Sequence, residues 1–161
     1  VEFESIKINT PKDANIIIGQ SHFIKTVEDI YEALIGAVPG IKFGLGFCES
    51  SGDCLVRVDG NDEELKKYAS ENALGIGAGH CFVLLIKNAY PINVLNAIKN
   101  VQEVCNIFCA SANPIEVVVA QTRQGRGIMG IIDGAIPKGI ETEDGIKWRK
   151  GFLRKIGYKS S

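Results

Sequence analysis

Histidine is scarce in this chain: two residues of 161, His22 and His80, stand far apart in sequence. A structural zinc site draws several nitrogen and sulfur ligands at short spacing. The five cysteines (Cys48, Cys54, Cys81, Cys105 and Cys109) contain no C-x-x-C pair. Their odd number speaks against a disulfide framework, and reduced, mostly buried thiols are expected, with no metal site. No charge-free apolar run approaches the ~20 residues of a membrane span, and no signal-peptide pattern opens the chain. The expectation is a cytoplasmic protein without a membrane partner. A nucleophile elbow of the G-x-S-x-G type is absent, which argues against a serine hydrolase. So is the G-K-[ST] of a phosphate-binding P-loop.

Strong charge is lacking too. The net value is −1, with no aromatic-basic repeats, so nucleic acid is not an expected partner. The balance is uneven: residues 1–120 sum to −6 and residues 121–161 to +5. The basic quarter suits phosphate groups or an acidic surface of the same molecule. There is no repeat, low-complexity segment or linker, and the length fits a single domain, 1–161.

What is present reads as alternating short strands and helices. Strand patterns cover Phe3–Ile8, Asn15–Gly19, Phe82–Ile86, Val104–Ala110, Ile115–Ala120 and Ile128–Ile132, and residues 41–58 read as a hairpin. Val27, Ile30, Tyr31, Leu34, Ile35 and Val38 make one helical face, with Thr26 as the expected N-cap. A second helix is expected from Asn61, capped with Glu64, to about Ala73. Pro91 opens a third, and Thr142 opens a last one that is basic at its end. The fold class predicted is α+β: one compact domain, a mixed sheet of several short strands and about four helices. It is not a doubly wound Rossmann fold, because helix and strand do not alternate strictly.

Chemistry concentrates in Gly75-Ile76-Gly77-Ala78-Gly79-His80. Glycines at alternate positions let the chain bend and deliver a histidine to the mouth of a buried strand. They follow a helix and open a strand, the reverse of a dinucleotide fingerprint. His22 and Lys25 sit at a strand-to-helix junction, where free N–H groups suit an anion. Arg123 and Arg126 lie in a polar loop, the latter between Gly125 and Gly127. Glu49, Asp59 and Asp133 are carboxylates at strand ends. Gly44 and Gly46 leave one strand face bare enough for a flat ligand to lie on. Imidazole attacks phosphorus and forked arginines stabilise a phosphoryl group in transit, so phosphoryl transfer leads over generic ligand binding.

The blocks Gly19-Gln20-Ser21-His22-Phe23-Ile24-Lys25-Thr26, Val38-Pro39-Gly40-Ile41-Lys42-Phe43-Gly44 and Ala78-Gly79-His80-Cys81-Phe82 resemble the adenosine-specific kinase family. So do Pro91-Ile92-Asn93-Val94-Leu95-Asn96 and Gln124-Gly125-Arg126-Gly127-Ile128 with Ile132-Asp133-Gly134, and the likeness runs from end to end. It implies an oligomeric α+β protein that binds adenosine or AMP and carries a phosphorylated histidine, which matches His80.

The catalytic candidates are His80, from the resemblance, and Arg126 and Asp133, from the chemistry of the residues. Arg123 or Lys25 would assist, and Asp133 or Glu49 would orient His80 or the acceptor. Candidate nucleotide-binding residues are Gln20, Ser21, His22, Phe23, Lys25, Phe47, Glu49, Gly79, Gly125 and Gly127, with Phe23 or Phe47 stacking on adenine. No tightly bound cofactor is expected. An adenine nucleotide would be the substrate, with Mg2+ as a candidate companion, and the assembly implied is a trimer or hexamer. A nucleotide sensor without turnover and an interaction scaffold are the rival classes.

Overall fold

Residues 1–161 are described from a computed structural model. The run Phe82-Val83-Leu84-Leu85-Ile86 is apolar at every position, which a half-exposed strand would not tolerate. It forms the middle of β5 (Cys81–Lys87), at the centre of a five-stranded sheet. Its neighbours are β3 (Lys42–Cys48) and β2 (Asn15–Ser21), with β4 (Val56–Gly60) and β6 (Val104–Ser111) at the edges. Every pairing is antiparallel, and the β3–β4 pair confirms the hairpin. Phe82, Leu84 and Ile86 point into a core with Phe43, Leu45 and Phe47, covered by α1 (Thr26–Ala37) and α3 (Pro91–Lys99). Val83 and Leu85 point the other way, into a core made with α2 (Glu63–Ile76).

That second core is shared with a separate three-stranded sheet, β1 (Glu2–Lys7), β7 (Ile115–Gln121) and β8 (Arg126–Asp133), which contributes Ile115, Val117 and Val119. The strands thus divide between two antiparallel sheets within the expected α+β class. Each inner row supplies burial of roughly 1.5–3 kcal/mol per large apolar side chain.

The bare face of β3 has a structural purpose. A Cβ on Gly44 would stand 2.1 Å from the Leu65 carbonyl carbon, and one on Gly46 would stand 2.7 Å from the Ala69 oxygen. The backbone of α2 therefore lies where a flat ligand was expected. Two caps also differ from expectation. Asp62, not Asn61, caps α2, accepting from the Leu65 N–H at 2.9 Å. Thr26 is the first residue of α1, its hydroxyl turned back to the Phe23 carbonyl and to Ser21. Asn61 instead bridges strands, accepting from the Phe43 N–H and donating to the Ile41 carbonyl.

Beyond Gly134 the chain leaves the two cores. α4 (Glu143–Lys155) buries no residue, and Ile136, Ile140, Trp148 and Phe152 are exposed. Trp148 and Phe152 stack on each other at 5.2 Å. No helix is long and apolar enough to cross a membrane.

Candidate functional site

Helix α2 ends at Ile76, and Gly77 closes it in the left-handed region (φ 62°), its N–H bonded to the Ala73 carbonyl. Three residues later His80 adopts the same conformation, φ 64°, which a side-chain-bearing residue seldom takes. The backbone holds it there. The His80 N–H donates to the Cys48 carbonyl (2.8 Å), and its own carbonyl accepts from the Ser21 N–H (3.0 Å). The imidazole lies nearly parallel to the Phe47 ring, centroids 5.8 Å apart, and stays half-buried. The glycine bend does present a histidine at the strand mouth. Gly79 is required beside it, since a Cβ there would stand 2.8 Å from that of Ser50.

Three loops meet at this turn around a cavity of about 610 Å3. The β3–β4 turn supplies Glu49, Ser50 and Cys54; the glycine turn supplies Gly77 and Gly79; the β7–β8 hairpin supplies Gln124, Gly125, Arg126 and Gly127. Gln20 joins Gly79, Arg126 and Gly127 around an adjoining recess of about 180 Å3. Five predicted residues (Glu49, Gly79, Gly125, Arg126 and Gly127) therefore converge on one space large enough for a nucleoside.

Arg126 is not in a free loop. It opens β8, and its guanidinium spans the molecule. Nε donates to Gln121 (2.9 Å), Nη1 to the Gly75 and Ile76 carbonyls (3.1 and 3.3 Å), and Nη2 to Glu4 (3.0 Å). These carbonyls are the negative end of α2. The glycine turn thus presents a helix C-terminus, and Arg126 supplies the positive charge needed to offset it before any anion can settle.

The other candidates divide. Glu49 is paired with Arg57 (2.9 Å). Asp133 lies at the far end of β8, accepting from Ser111 (2.6 Å) and Asn113 (3.2 Å). Seven residues of strand at ~3.3 Å each put it roughly 23 Å from Arg126, so within one chain it cannot orient His80. Phe47 is fully buried under α1 and α3 and cannot stack on a base. Phe23 is exposed and can. Ser21 is buried, bonded to Thr26 (2.6 Å) and to the Glu103 carbonyl (3.1 Å), and serves structure.

His22, Phe23 and Lys25 form a second cluster where β2 turns into α1. The His22 N–H donates to the Glu103 carbonyl, and Lys25 spans Asp29 (3.2 Å) and Gln102 (3.1 Å). Under them lies a group that sequence reasoning missed. Glu103 is buried, and neither carboxylate oxygen has a hydrogen-bond partner. Burial, and next the neighbouring Asp29 carboxylate, push its pKa above the ordinary glutamate range. No periodicity marks a lone glutamate before a strand as buried. Also unforeseen is the meeting of Cys48 and Cys81, with sulfurs 3.6 Å apart. All five cysteines are free; Cys54, in the β3–β4 turn, and Cys105, on edge strand β6, are exposed rather than buried. No cluster of three metal-ligating side chains is present.

The family model "Adenosine specific kinase" matches residues 6–159. The crystal structure of the PH1918 protein from Pyrococcus horikoshii OT3 superposes with a TM-score of 0.96 at 50% identity, covering 99% of each chain. No curated protein matches. With both the glycine-histidine turn and the arginine hairpin inside the matched span, the chain belongs to the adenosine-specific kinase family.

Proposed function

We propose that this protein binds adenosine or AMP in the 610 Å3 cavity and acts as a phosphotransferase through a phosphohistidine at His80. The observation that carries the reading is the half-buried imidazole that the backbone fixes at the strand mouth, one residue beyond Gly79 of the cavity wall and with its ring against Phe47, in a chain of this family. A neutral ring nitrogen attacks the terminal phosphorus of an adenine nucleotide. The N–P bond forms as the P–O bond to the leaving nucleotide breaks, and a nucleoside hydroxyl later takes the phosphoryl group and frees the ring. The Nη2 of Arg126 has one N–H beyond its bond to Glu4, and the backbone of Gly125 and Gly127 lies beside it. These are the donors to phosphoryl oxygens, with Arg123 or Lys25 assisting. Phe23, exposed in the His22 cluster outside the cavity lining, would meet the base only where it projects from the cavity. Any Mg2+ would arrive with the polyphosphate.

A second reading has its own support. Arg126 and Glu49 are already paired within the chain, and Asp133 is remote, so little is left to speed transfer onward. That arrangement suits a sensor in which phosphohistidine is a stored mark. In both readings the protein works in the cytoplasm as a closed homo-oligomer, trimer or hexamer, which would cover the exposed apolar side chains of β8 and the C-terminal segment.

Mass spectrometry that preserves acid-labile N–P bonds tests the covalent step. After incubation with ATP, the phosphate is expected on the His80 peptide and lost in His80→Ala. A phosphate on His22, or an adduct surviving in His80→Ala, overturns it. Turnover of adenosine to AMP separates enzyme from sensor. Arg126→Ala should weaken AMP binding at least tenfold while sparing adenosine; equal losses would assign Arg126 to holding α2 alone.

A further inference from the structure

Cys48 and Cys81 face each other where the β3–β5 ladder ends. The register runs from Lys42 opposite Lys87 to Phe47 opposite Phe82, and these cysteines are the next pair outward. The Cys81 thiol points at the Cys48 sulfur, 3.6 Å away, and the Cys48 thiol at the Ala73 carbonyl, 3.2 Å away. A disulfide requires about 2.0 Å between sulfurs, so closure asks for an approach of only about 1.5 Å. Both thiols are buried, Cys48 bordering the 610 Å3 cavity and Cys81 the adjoining 180 Å3 recess. They differ in acidity. The hydrogen bond from Cys81 lowers the Cys48 pKa, while that bond and burial hold Cys81 well above the ordinary thiol range.

We propose that Cys48 and Cys81 are a redox-active dithiol that a hydroperoxide entering the cavity converts to a disulfide, clamping the His80 turn to the end of β3. The Cys48 thiolate attacks the terminal hydroxyl oxygen of the hydroperoxide, the O–O bond breaks, and the alkoxide (hydroxide from hydrogen peroxide) leaves and takes up a proton, giving a sulfenic acid on Cys48. The Cys81 sulfur then attacks the Cys48 sulfur and loses its proton, and the hydroxyl departs as water. In sum, two thiols and one hydroperoxide give one disulfide, one water and the alcohol (or, from hydrogen peroxide, a second water). The clamp bears on the site because the Cys48 carbonyl holds the His80 N–H. None of this requires His80 to carry phosphate.

The test is hydrogen peroxide treatment of the full chain, alkylation of remaining thiols under denaturing conditions, and peptide mapping. A linked peptide pair joining Cys48 to Cys81, two hydrogens lighter and reversed by dithiothreitol, is expected. The oxidised protein should melt several degrees higher. Cys54→Ala should keep the link. Cys81→Ala should lose both link and shift, and so should Cys48→Ser, which retains a donor for the Ala73 carbonyl. A link from Cys48 to Cys54, sulfinic acid on Cys48 without a link, or no reaction would overturn the assignment.

Discussion

His80 and His22 both stand where one element hands over to the next, yet opposite forces hold the two junctions. At His80 the constraint is backbone: a left-handed residue, an N–H tied to Cys48, a carbonyl tied to Ser21, and a ring laid on Phe47. At His22 the backbone contributes one bond, from its N–H to the Glu103 carbonyl, and the rest is charge. Lys25 and Asp29 pair over Glu103, a buried carboxyl without a partner, and the histidine itself is exposed. A turn fixed by geometry keeps its shape over a wide pH range, whereas one resting on buried carboxyls does not. Only the first kind suits a nucleophile that must meet phosphorus in one orientation.

The sharpest way to break the His80 side is to lift α2, whose C-terminus feeds the glycine turn. Gly44→Ala places a methyl 2.1 Å from the α2 backbone, and backbone has no rotamer to escape into. Overpacking of this kind costs about 3 kcal/mol, the upper part of its usual range. Urea denaturation should show that loss. Gly36→Ala, in α1 with nothing within 4 Å, should instead gain up to about 1 kcal/mol. Equal effects at the two sites would mean that α2 is not pressed on β3.

The two junctions were also unequally legible. Glycines at 75, 77 and 79 ahead of an apolar run announce a bend with His80 at its exit. Gln124-Gly125-Arg126-Gly127 announces an arginine near glycine. That Arg126 reaches the Gly75 and Ile76 carbonyls could not be read, because fifty residues separate them and no local pattern encodes the meeting of two sheets. Asp133 looked equivalent to Glu49 as a carboxylate at a strand end. Which end of the sheet each occupies depends on strand order, which hydrophobic periodicity does not carry. Gly44 and Gly46 were legible as a bare face, but a helix backbone and a flat ligand ask the same of glycine. Glu103 left no trace, since its burial comes from the fold of α1 over the α3–β6 connection.

The His22 side is sharpened by pH. Glu103 has a raised folded-state pKa, so the folded chain holds that proton more tightly than the unfolded chain. Its contribution to stability is therefore greatest in acid. It is lost as pH rises from the unfolded value of roughly 4.3 through the folded one. Glu103→Gln replaces the carboxyl with a neutral amide that can donate to Asp29. It should remove this part of the pH dependence and gain about 1 kcal/mol at pH 8, the scale of an unsatisfied buried polar group. Denaturation midpoints of both proteins at acid and alkaline pH measure it. Parallel curves would mean that the carboxyl is not buried in solution.

The smallest effect separates the junctions by its sign. His80 sits at φ 64°, where alanine is as strained as histidine and glycine is at ease. His80→Gly should exceed His80→Ala in stability by about 1 kcal/mol. It should also come near the parent, because relief of strain roughly offsets the lost stacking on Phe47, itself about 0.5–1 kcal/mol. At His22, which has no positive φ, glycine only adds freedom to the unfolded chain. His22→Gly should therefore fall below His22→Ala by about 0.5 kcal/mol. Four variants and one denaturant series give both differences. If glycine gained nothing over alanine at 80, the turn would be shaped by Gly77 and Gly79 alone, with His80 carried passively. The same sign at both positions would abolish the distinction between a junction held by backbone and one held by charge.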